Sequence, residues 1–145
     1  QGDATRFKLP HPNPEGRYNF SFSGLKTAFI NLCHGFTQRG EELPRADLAA
    51  SYQQAIVESL CEKATLALRE SGLHTLCLAG GVSANTLLRQ RMAALAAEQG
   101  FTLCMPELVL CTDNAAMIGS AAYYRLLRGE LATLSLNAEP ALSLI

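Results

Sequence analysis

The stretch that decides the fold runs from His74 to Asn85 and reads HTLCLAGGVSAN. Its first half is a short apolar run bounded by glycines, which is typical of a buried strand in a parallel sheet. The glycine pair that follows favours a tight turn, because glycine adopts positive φ without steric cost. We therefore predict a buried strand, a tight turn over residues 80–85 and then a helix.

Helical and extended patterns alternate on both sides of this stretch. Apolar residues at three- and four-residue steps predict helices, and alternating or short apolar runs predict strands. The predicted order is a strand at 17–23, a helix from Ser23 or Gly24, a helix at 45–70, a strand at 74–79, a helix at 86–99, a strand at 101–105 and a helix from Asp113-Asn114 to about residue 128. This order predicts an α/β fold with helices packed on a sheet.

The 145-residue chain has the length of one domain. Its first and last segments differ in character from the part between them. Residues 1–16 contain Pro10, Pro12 and Pro14, which disfavour helix, so we predict an extended connector there. Residues 17–130 form the predicted domain. Residues 131–145 show no clear period and are predicted to be a C-terminal tail.

Composition excludes several classes of protein. Lys and Arg number 12 and Asp and Glu number 13, and this near-neutral balance argues against a basic protein that coats nucleic acid. No apolar run approaches the roughly 20 residues that span a bilayer, so we predict no membrane segment. The five cysteines include no C-x-x-C pair, which predicts buried thiols in a reducing cytoplasm rather than disulfides or a zinc site.

The turn after the central strand is the first candidate site. Gly80 and Gly81 would let a ligand approach the backbone, and the start of the next helix offers free N–H groups to an anion. Asn85 can both donate and accept hydrogen bonds, as binding a ribose hydroxyl requires. The alternative is that Ser83 or Asn85 only caps the helix. These residues leave both interpretations open.

Asp113 is the second candidate, because it lies where a loop enters the last helix. Its carboxylate could bind a cation, but taken alone the residue is better explained as a helix cap, because Asp is a preferred capping residue. One carboxylate does not complete a metal site. A third junction, around Ser23 and Lys26, could face an anion, but Ser23 as a cap and Lys26 as a solvated residue of the first turn explain it better.

Three stretches together resemble one family. They read FSFSGLKT at 20–27, AGGVSAN at 79–85 and CTDNAAMI at 111–118. Their order and spacing resemble the bacterial TsaD family of tRNA N6-adenosine threonylcarbamoyltransferases, over about Arg17 to Arg128. The resemblance implies the C-terminal lobe of an actin-like ATPase (ribonuclease H-like) fold. It also implies transfer of a threonylcarbamoyl group from its adenylate to N6 of the adenosine 3′ of the anticodon.

The resemblance also implies roles for particular residues. Asn85, with Gly80 and Gly81, matches the position that contacts the nucleotide part of threonylcarbamoyl-adenylate or an adenine nucleotide. Asp113 matches one ligand of a divalent metal, expected to be iron, with zinc as the alternative. The implied partners are tRNA and the subunits TsaB and TsaE of the bacterial threonylcarbamoyl complex. The catalytic residues stay unknown.

The chain departs from the family in length. It begins with Gln1 rather than methionine, and family members are considerably longer, so we expect it to be the C-terminal part of such an enzyme. The N-terminal half would supply the other metal ligands, and the chain alone should be inactive. Two alternatives stay open. One is a related carbamoyltransferase lobe, which typically has Asp and two glycines where this chain has Asn114-Ala115. The other is a non-catalytic module that binds partner subunits.

Overall fold

The computed structural model describes residues 2–10 and 16–141. In chain order the elements are α1 (Phe22–Gln38), α2 (Arg45–Ser71), β1 (Thr75–Cys77), a 3-10 helix (Gly81–Ala84), α3 (Thr86–Gln99), β2 (Thr102–Cys104), a second 3-10 helix (Leu108–Leu110) and α4 (Ala115–Leu127). The chain divides into two units, a first unit up to Cys111 and a second unit from Thr112. The predicted α/β class is confirmed.

The two helices around β1 end where glycines mark them. α3 has the predicted bounds, and α2 ends one residue later than predicted. Both helices are followed by a glycine in the left-handed region, Gly72 with φ +68° and Gly100 with φ +76°. Such a residue ends a helix at little cost because it has no side chain to clash. The chain is then free to enter β1 and β2.

The sheet of the described residues consists of β1 and β2. They pair in parallel, with Leu76 opposite Leu103 and Cys77 opposite Cys104, which confirms the parallel arrangement. The Leu78 N–H donates to the Cys104 carbonyl at 2.9 Å, just beyond β1. The segments that follow the two strands therefore leave the sheet from the same edge.

The first unit packs α2 and α3 on one face of this sheet. Val57 and Cys61 of α2 and Leu88 and Met92 of α3 are buried together, with Met92 only 1% exposed. Partly buried apolar residues packed against them include Leu60, Leu76, Leu87, Leu95 and Leu103. This cluster fixes α3 against the sheet and so sets the position of the turn between β1 and α3.

The N-terminal residues pack against α2. Leu9 is buried with Leu25 and Ala55 in a second apolar cluster. The Asp47 carboxylate accepts a hydrogen bond from the Asp3 N–H at 2.7 Å. That bond, with a side-chain bond from Arg6, lowers the pKa of Asp47. These contacts lie within the segment predicted to be a connector, residues 1–16, of which residues 1 and 11–15 lie outside the described part.

The predicted strand at 17–23 is wrong. The Asn19 N–H donates to the Gly16 carbonyl in a turn, and α1 begins at Phe22 with Ser21 at its N-cap position. Ser23 therefore lies inside the first turn and does not cap the helix. The exposed rings of Phe20 and Phe22 stack on each other, with centroids 5.5 Å apart. Alternating aromatic residues form a strand only where another strand pairs with them, and the described structure provides none.

Burial of the cysteines is predicted correctly only in part. Cys61 and Cys111 are buried and Cys33 is half-buried, but Cys77 and Cys104 are exposed. Alternation along each strand turns Leu76 and Leu103 toward the helices and turns the two thiols to the opposite face. No described residue buries that face, so the predicted burial of the strand holds for one face only. The neighbouring Cys104 raises the pKa of Cys77.

The second unit contains α4 and the residues that follow it. α4 has no buried residue, and the Glu130 carboxylate pairs with Arg125 and Arg128 beside its C-terminal end. Residues 131–141 contain no helix or strand, and the last four residues of the predicted tail lie outside the described part. Across the described part of the chain, no helix combines the length and the apolar character that crossing a membrane requires.

Candidate functional site

The turn between β1 and α3 is built around Gly80. This residue has φ +81° and ψ 172°, a conformation essentially restricted to glycine. Its carbonyl accepts hydrogen bonds from the Ser83 N–H at 2.9 Å and from the Ser83 hydroxyl at 2.6 Å. Gly81 begins the 3-10 helix without a positive φ. The predicted need for glycine freedom is therefore confirmed at Gly80 and not at Gly81.

Asn85 caps α3, as one of the two interpretations predicted. Its Oδ1 accepts hydrogen bonds from the Leu88 N–H at 3.0 Å and from the Gln53 side-chain amide at 3.2 Å. The bond from the backbone N–H fixes which end of the amide is the oxygen. Among the described residues, none accepts a hydrogen bond from Nδ2. The cap therefore uses the acceptor of Asn85 and leaves its donor available.

Backbone donors lie next to this side chain. Thr86 and Leu87 are the first residues of α3, and their N–H groups have no acceptor within the helix. The 14-residue helix also places the positive end of its dipole here. Gly80 and Gly81 are exposed, and a Cβ on either would meet no atom within 4 Å. The turn is thus open to an anionic or polar ligand.

A small apolar cavity adjoins the turn. Its volume is about 270 Å³, close to the lower limit of roughly 300 Å³ for ligand pockets. Apolar side chains form most of its wall, with Asn85 as one of its few polar groups; the lining includes Phe29, Tyr52, Ile56, Val57, Leu60, Val82 and Leu88. A flat heterocyclic ring would fit the chemistry of this wall better than a charged group.

Two polar residues of this region escape the sequence analysis. Gln53 of α2 donates to Asn85, and Arg89 of α3 donates to the carbonyls of Ser83 and Pro106. Gln53 gives no signal in the sequence, because its partner lies 32 residues away. Arg89 does give one. It lies four residues after Asn85 and thus one helical turn from the cap.

Asp113 lies in the second unit and does not cap α4. The cap is Asn114, whose Oδ1 accepts a hydrogen bond from the Met117 N–H at 3.0 Å. The capping interpretation of Asp113 is therefore wrong. Its carboxylate is exposed and forms no hydrogen bond or ion pair within the described part of the chain.

The described residues alone do not complete a metal centre at Asp113. Within residues 2–10 and 16–141, no group of three or more His, Cys, Asp or Glu side chains is arranged to hold a metal ion. A free carboxylate has the oxygen chemistry of a ligand to a divalent cation, but structural and catalytic sites need at least three protein ligands as a rule. Asp113 could therefore supply one ligand of such a site, and its role as a metal ligand stays a prediction.

Comparison with curated proteins places the chain among relatives that share one description. Identity is 44% over 144 residues with the tRNA N6-adenosine threonylcarbamoyltransferase of Caldicellulosiruptor saccharolyticus, covering 99% of this chain and 43% of the relative. Identity is 50% over 132 residues with the enzyme of the same description from Lactobacillus delbrueckii subsp. bulgaricus, covering 90% of this chain and 38% of the relative. Identity is 49% over 139 residues with the corresponding enzyme of Moorella thermoacetica, covering 94% of this chain and 41% of the relative.

The chain spans about two fifths of the length of these relatives. A comparison with protein families matches residues 1–120 to the family described as TsaD: tRNA N6-adenosine threonylcarbamoyltransferase. The match includes the turn at residues 80–85 and Asp113, and it confirms the resemblance stated from the three sequence motifs. On this evidence the chain belongs to the TsaD family.

Proposed function

We propose that this chain is the C-terminal part of a tRNA N6-adenosine threonylcarbamoyltransferase and forms the C-terminal lobe of an actin-like ATPase fold. The observation that carries the proposal is the turn between β1 and α3. It presents unpaired donors at the carboxyl edge of a parallel sheet, where α/β proteins commonly bind nucleotides, and it lies within the stretch that matches the family.

The proposed reaction transfers an activated acyl group. The N6 amine of adenosine attacks the carbonyl carbon of threonylcarbamoyl-adenylate, the bond from this carbon to the phosphate oxygen breaks, and AMP leaves with the electron pair. The amine gives up one proton to solvent water as the new C–N bond forms. Such a reaction depends on holding the nucleotide part of the donor in one orientation while the amine approaches.

In this reaction we assign the turn to the nucleotide. The N–H groups of Thr86 and Leu87 and the positive end of α3 favour the phosphate. Nδ2 of Asn85 is available to a ribose hydroxyl, because Oδ1 is engaged by the cap. The apolar cavity beside it suits the adenine ring. Gly80 and Gly81 let the ligand approach the backbone, since neither presents a side chain.

Asp113 is proposed as one ligand of a divalent metal, iron or zinc. The remaining ligands would come from the part of the enzyme that this chain does not span. Such a metal would polarise or orient the acyl donor. We further propose tRNA as the substrate, TsaB and TsaE as partner subunits, and the cytoplasm as the site of action.

A chimera tests the proposal. In it, this chain replaces the matching two fifths of the Moorella thermoacetica relative. We expect the chimera to bind adenine nucleotide by calorimetry and to form threonylcarbamoyladenosine in tRNA by mass spectrometry. The 145-residue chain alone should bind weakly and transfer nothing, since one wall of the cleft cannot orient the donor. A folded chimera that binds nucleotide no better than the chain alone would refute the assignment.

Two variants of Asn85 separate capping from nucleotide binding. Asn85→Ser retains a capping oxygen and removes the amide donor, so it should keep stability and weaken nucleotide binding about fivefold, the effect of one neutral hydrogen bond. Asn85→Ala should lose both. If Asn85→Ser binds like the unmodified chimera, Asn85 acts only as a cap.

Metal content tests Asp113. We expect Asp113→Ala in the chimera to lose metal by elemental analysis. Glu139→Gln, which removes an exposed carboxylate elsewhere in the second unit, should retain it. Equal metal in both variants would rule out Asp113 as a ligand while leaving the nucleotide assignment to be judged on Asn85.

A further inference from the structure

Arg89 contacts both segments that follow the two strands. Its Nη1 donates to the Ser83 carbonyl at 3.0 Å, and its Nη2 donates to the Pro106 carbonyl at 2.9 Å. Nη1 also lies 3.9 Å from Sγ of Cys111. One side chain thus joins the turn at residues 80–85 to the loop at residues 106–111, although 17 residues separate Arg89 from Pro106. All of these groups belong to the first unit.

The helix dipole does not favour an arginine at this position. Arg89 is the fourth residue of α3, where the positive end of the helix dipole disfavours a cation. No carboxylate in the described part of the chain forms an ion pair with it. The interactions that keep this half-buried arginine in place are therefore its bonds to the two backbone carbonyls and the longer contact to Cys111 Sγ.

These bonds complete a small network inside the turn. Ser83 is 2% exposed, and its hydroxyl donates to the Gly80 carbonyl while its own carbonyl accepts from Arg89. The guanidinium is planar and presents its N–H groups in a fixed fork, so two bonds to two different carbonyls restrict the distance between them. A lysine retains the charge but lacks this fork.

We propose that Arg89 is a positioning residue, which holds the turn at 80–85 and the loop at 106–111 in a fixed relation. The consequence for nucleotide binding rests on the proposed function, because it assigns the turn to the nucleotide. The fixed relation of the two segments does not rest on it. The two parts of the inference are therefore tested separately.

Amide hydrogen exchange in the 145-residue chain tests the fixed relation. We expect Arg89→Gln to speed exchange about tenfold in both segments, 80–85 and 106–111, which corresponds to losing charge-assisted bonds. Amides of β1 and β2 should keep their rates. Arg91→Gln is the matched control, because Arg91 is an exposed arginine on the same helix. Uniformly faster exchange through α3 and both strands, or a change in only one segment, would overturn the proposal.

A lysine variant tests the proposal if the glutamine variant does not fold. If Arg89→Gln does not fold, Arg89→Lys, which keeps the charge, should fold and still show faster exchange in both segments. Wild-type exchange in Arg89→Lys would mean that charge alone suffices, and the fork would have no positioning role.

Nucleotide binding by the chimera tests the consequence. We expect the dissociation constant for AMP to rise about tenfold in Arg89→Gln and to stay unchanged in Arg91→Gln, a free-energy change of about 1.4 kcal/mol. Unchanged affinity in Arg89→Gln would refute the consequence. If the unmodified chimera binds no AMP, the nucleotide assignment itself fails, and the exchange rates still decide whether Arg89 positions the two segments.

Discussion

Two regions of the chain use the same local device and differ in what surrounds it. Each begins with the tripeptide Thr-Leu-Cys as a strand, continues through a 3-10 helix and an asparagine cap, and ends in an α-helix. Asn85 and Asn114 each accept a backbone N–H at 3.0 Å. Yet α3 buries Leu88 and Met92, whereas α4 buries nothing within its unit. Caps and turns arise from neighbouring residues, while burial depends on distant ones.

The largest expected difference between the two regions concerns their methionines. Met92→Ala in α3 leaves a cavity in the main apolar cluster and should lower the free energy of unfolding by about 2–5 kcal/mol. Met117→Ala in α4, where the side chain is 51% exposed, should change it by less than about 0.5 kcal/mol. Urea denaturation followed by circular dichroism measures both. Equal losses would mean that α4 is packed as firmly as α3.

The backbone of the first turn gives the next effect. Gly80→Ala forces a side chain into a conformation that only glycine adopts readily and should cost about 1–3 kcal/mol, although the added Cβ meets no atom. Gly81→Ala lacks this strain and should stay within about 0.5 kcal/mol of wild type. The region after β2 contains no glycine before α4. If the two alanine variants have equal stability, the conformation of Gly80 is not strained for other residues, and this difference between the two regions disappears.

The two caps sharpen the comparison further. Asn85→Ala and Asn114→Ala each remove the acceptor for one N–H of a helix, and each should cost its own helix about 1 kcal/mol. For Asn85 this should appear as lower global stability, since α3 is part of the main cluster. For Asn114 it should appear as reduced helicity of α4 in NMR chemical shifts. If Asn114→Ala lowered the global stability of the protein, the expected difference between the two caps would be contradicted.

Acid dependence is the smallest expected effect. Folded contacts lower the pKa of Asp47, through the Asp3 N–H and then Arg6, and of Glu130, through Arg128 and then Arg125. A lowered pKa stabilises the fold above the ordinary carboxyl values of 3.8 and 4.5 and loses this effect as pH falls through the folded pKa. Asp47→Asn should therefore flatten the acid slope of the melting temperature. Glu130→Gln should leave the acid slope of the melting temperature unchanged. It should only reduce the loss of α4 helicity that acid causes.

The sequence predicts what neighbouring residues determine. The bounds of α3 follow from its apolar steps and from Gly100, and the turn after β1 follows from its glycine pair. Asn85 is identified as a cap candidate from its place before the helix. All of these features depend on contacts a few residues apart, where local propensity and sterics dominate.

Local sequence patterns do not predict features that depend on residues distant in the sequence. The aromatic alternation at Tyr18, Phe20 and Phe22 suits a strand, but no described strand pairs with it. Exposure of Cys77 and Cys104 depends on what covers a sheet face. Arg89 lies one helical turn after Asn85 in the sequence, but this position does not reveal its contacts with backbone carbonyls on two segments. The assignment of Asp113 rests on a family motif and not on geometry.

The position of α2 has a consequence for the order of folding. Its neighbouring residues Ala55 and Val57 belong to different apolar clusters, one holding the N-terminal residues and the other holding the sheet and α3. Because both clusters use this middle part of α2, we expect neither to be complete before it has formed. We therefore expect the helix to belong to a shared folding nucleus, and the first unit to acquire its structure in one concerted kinetic step.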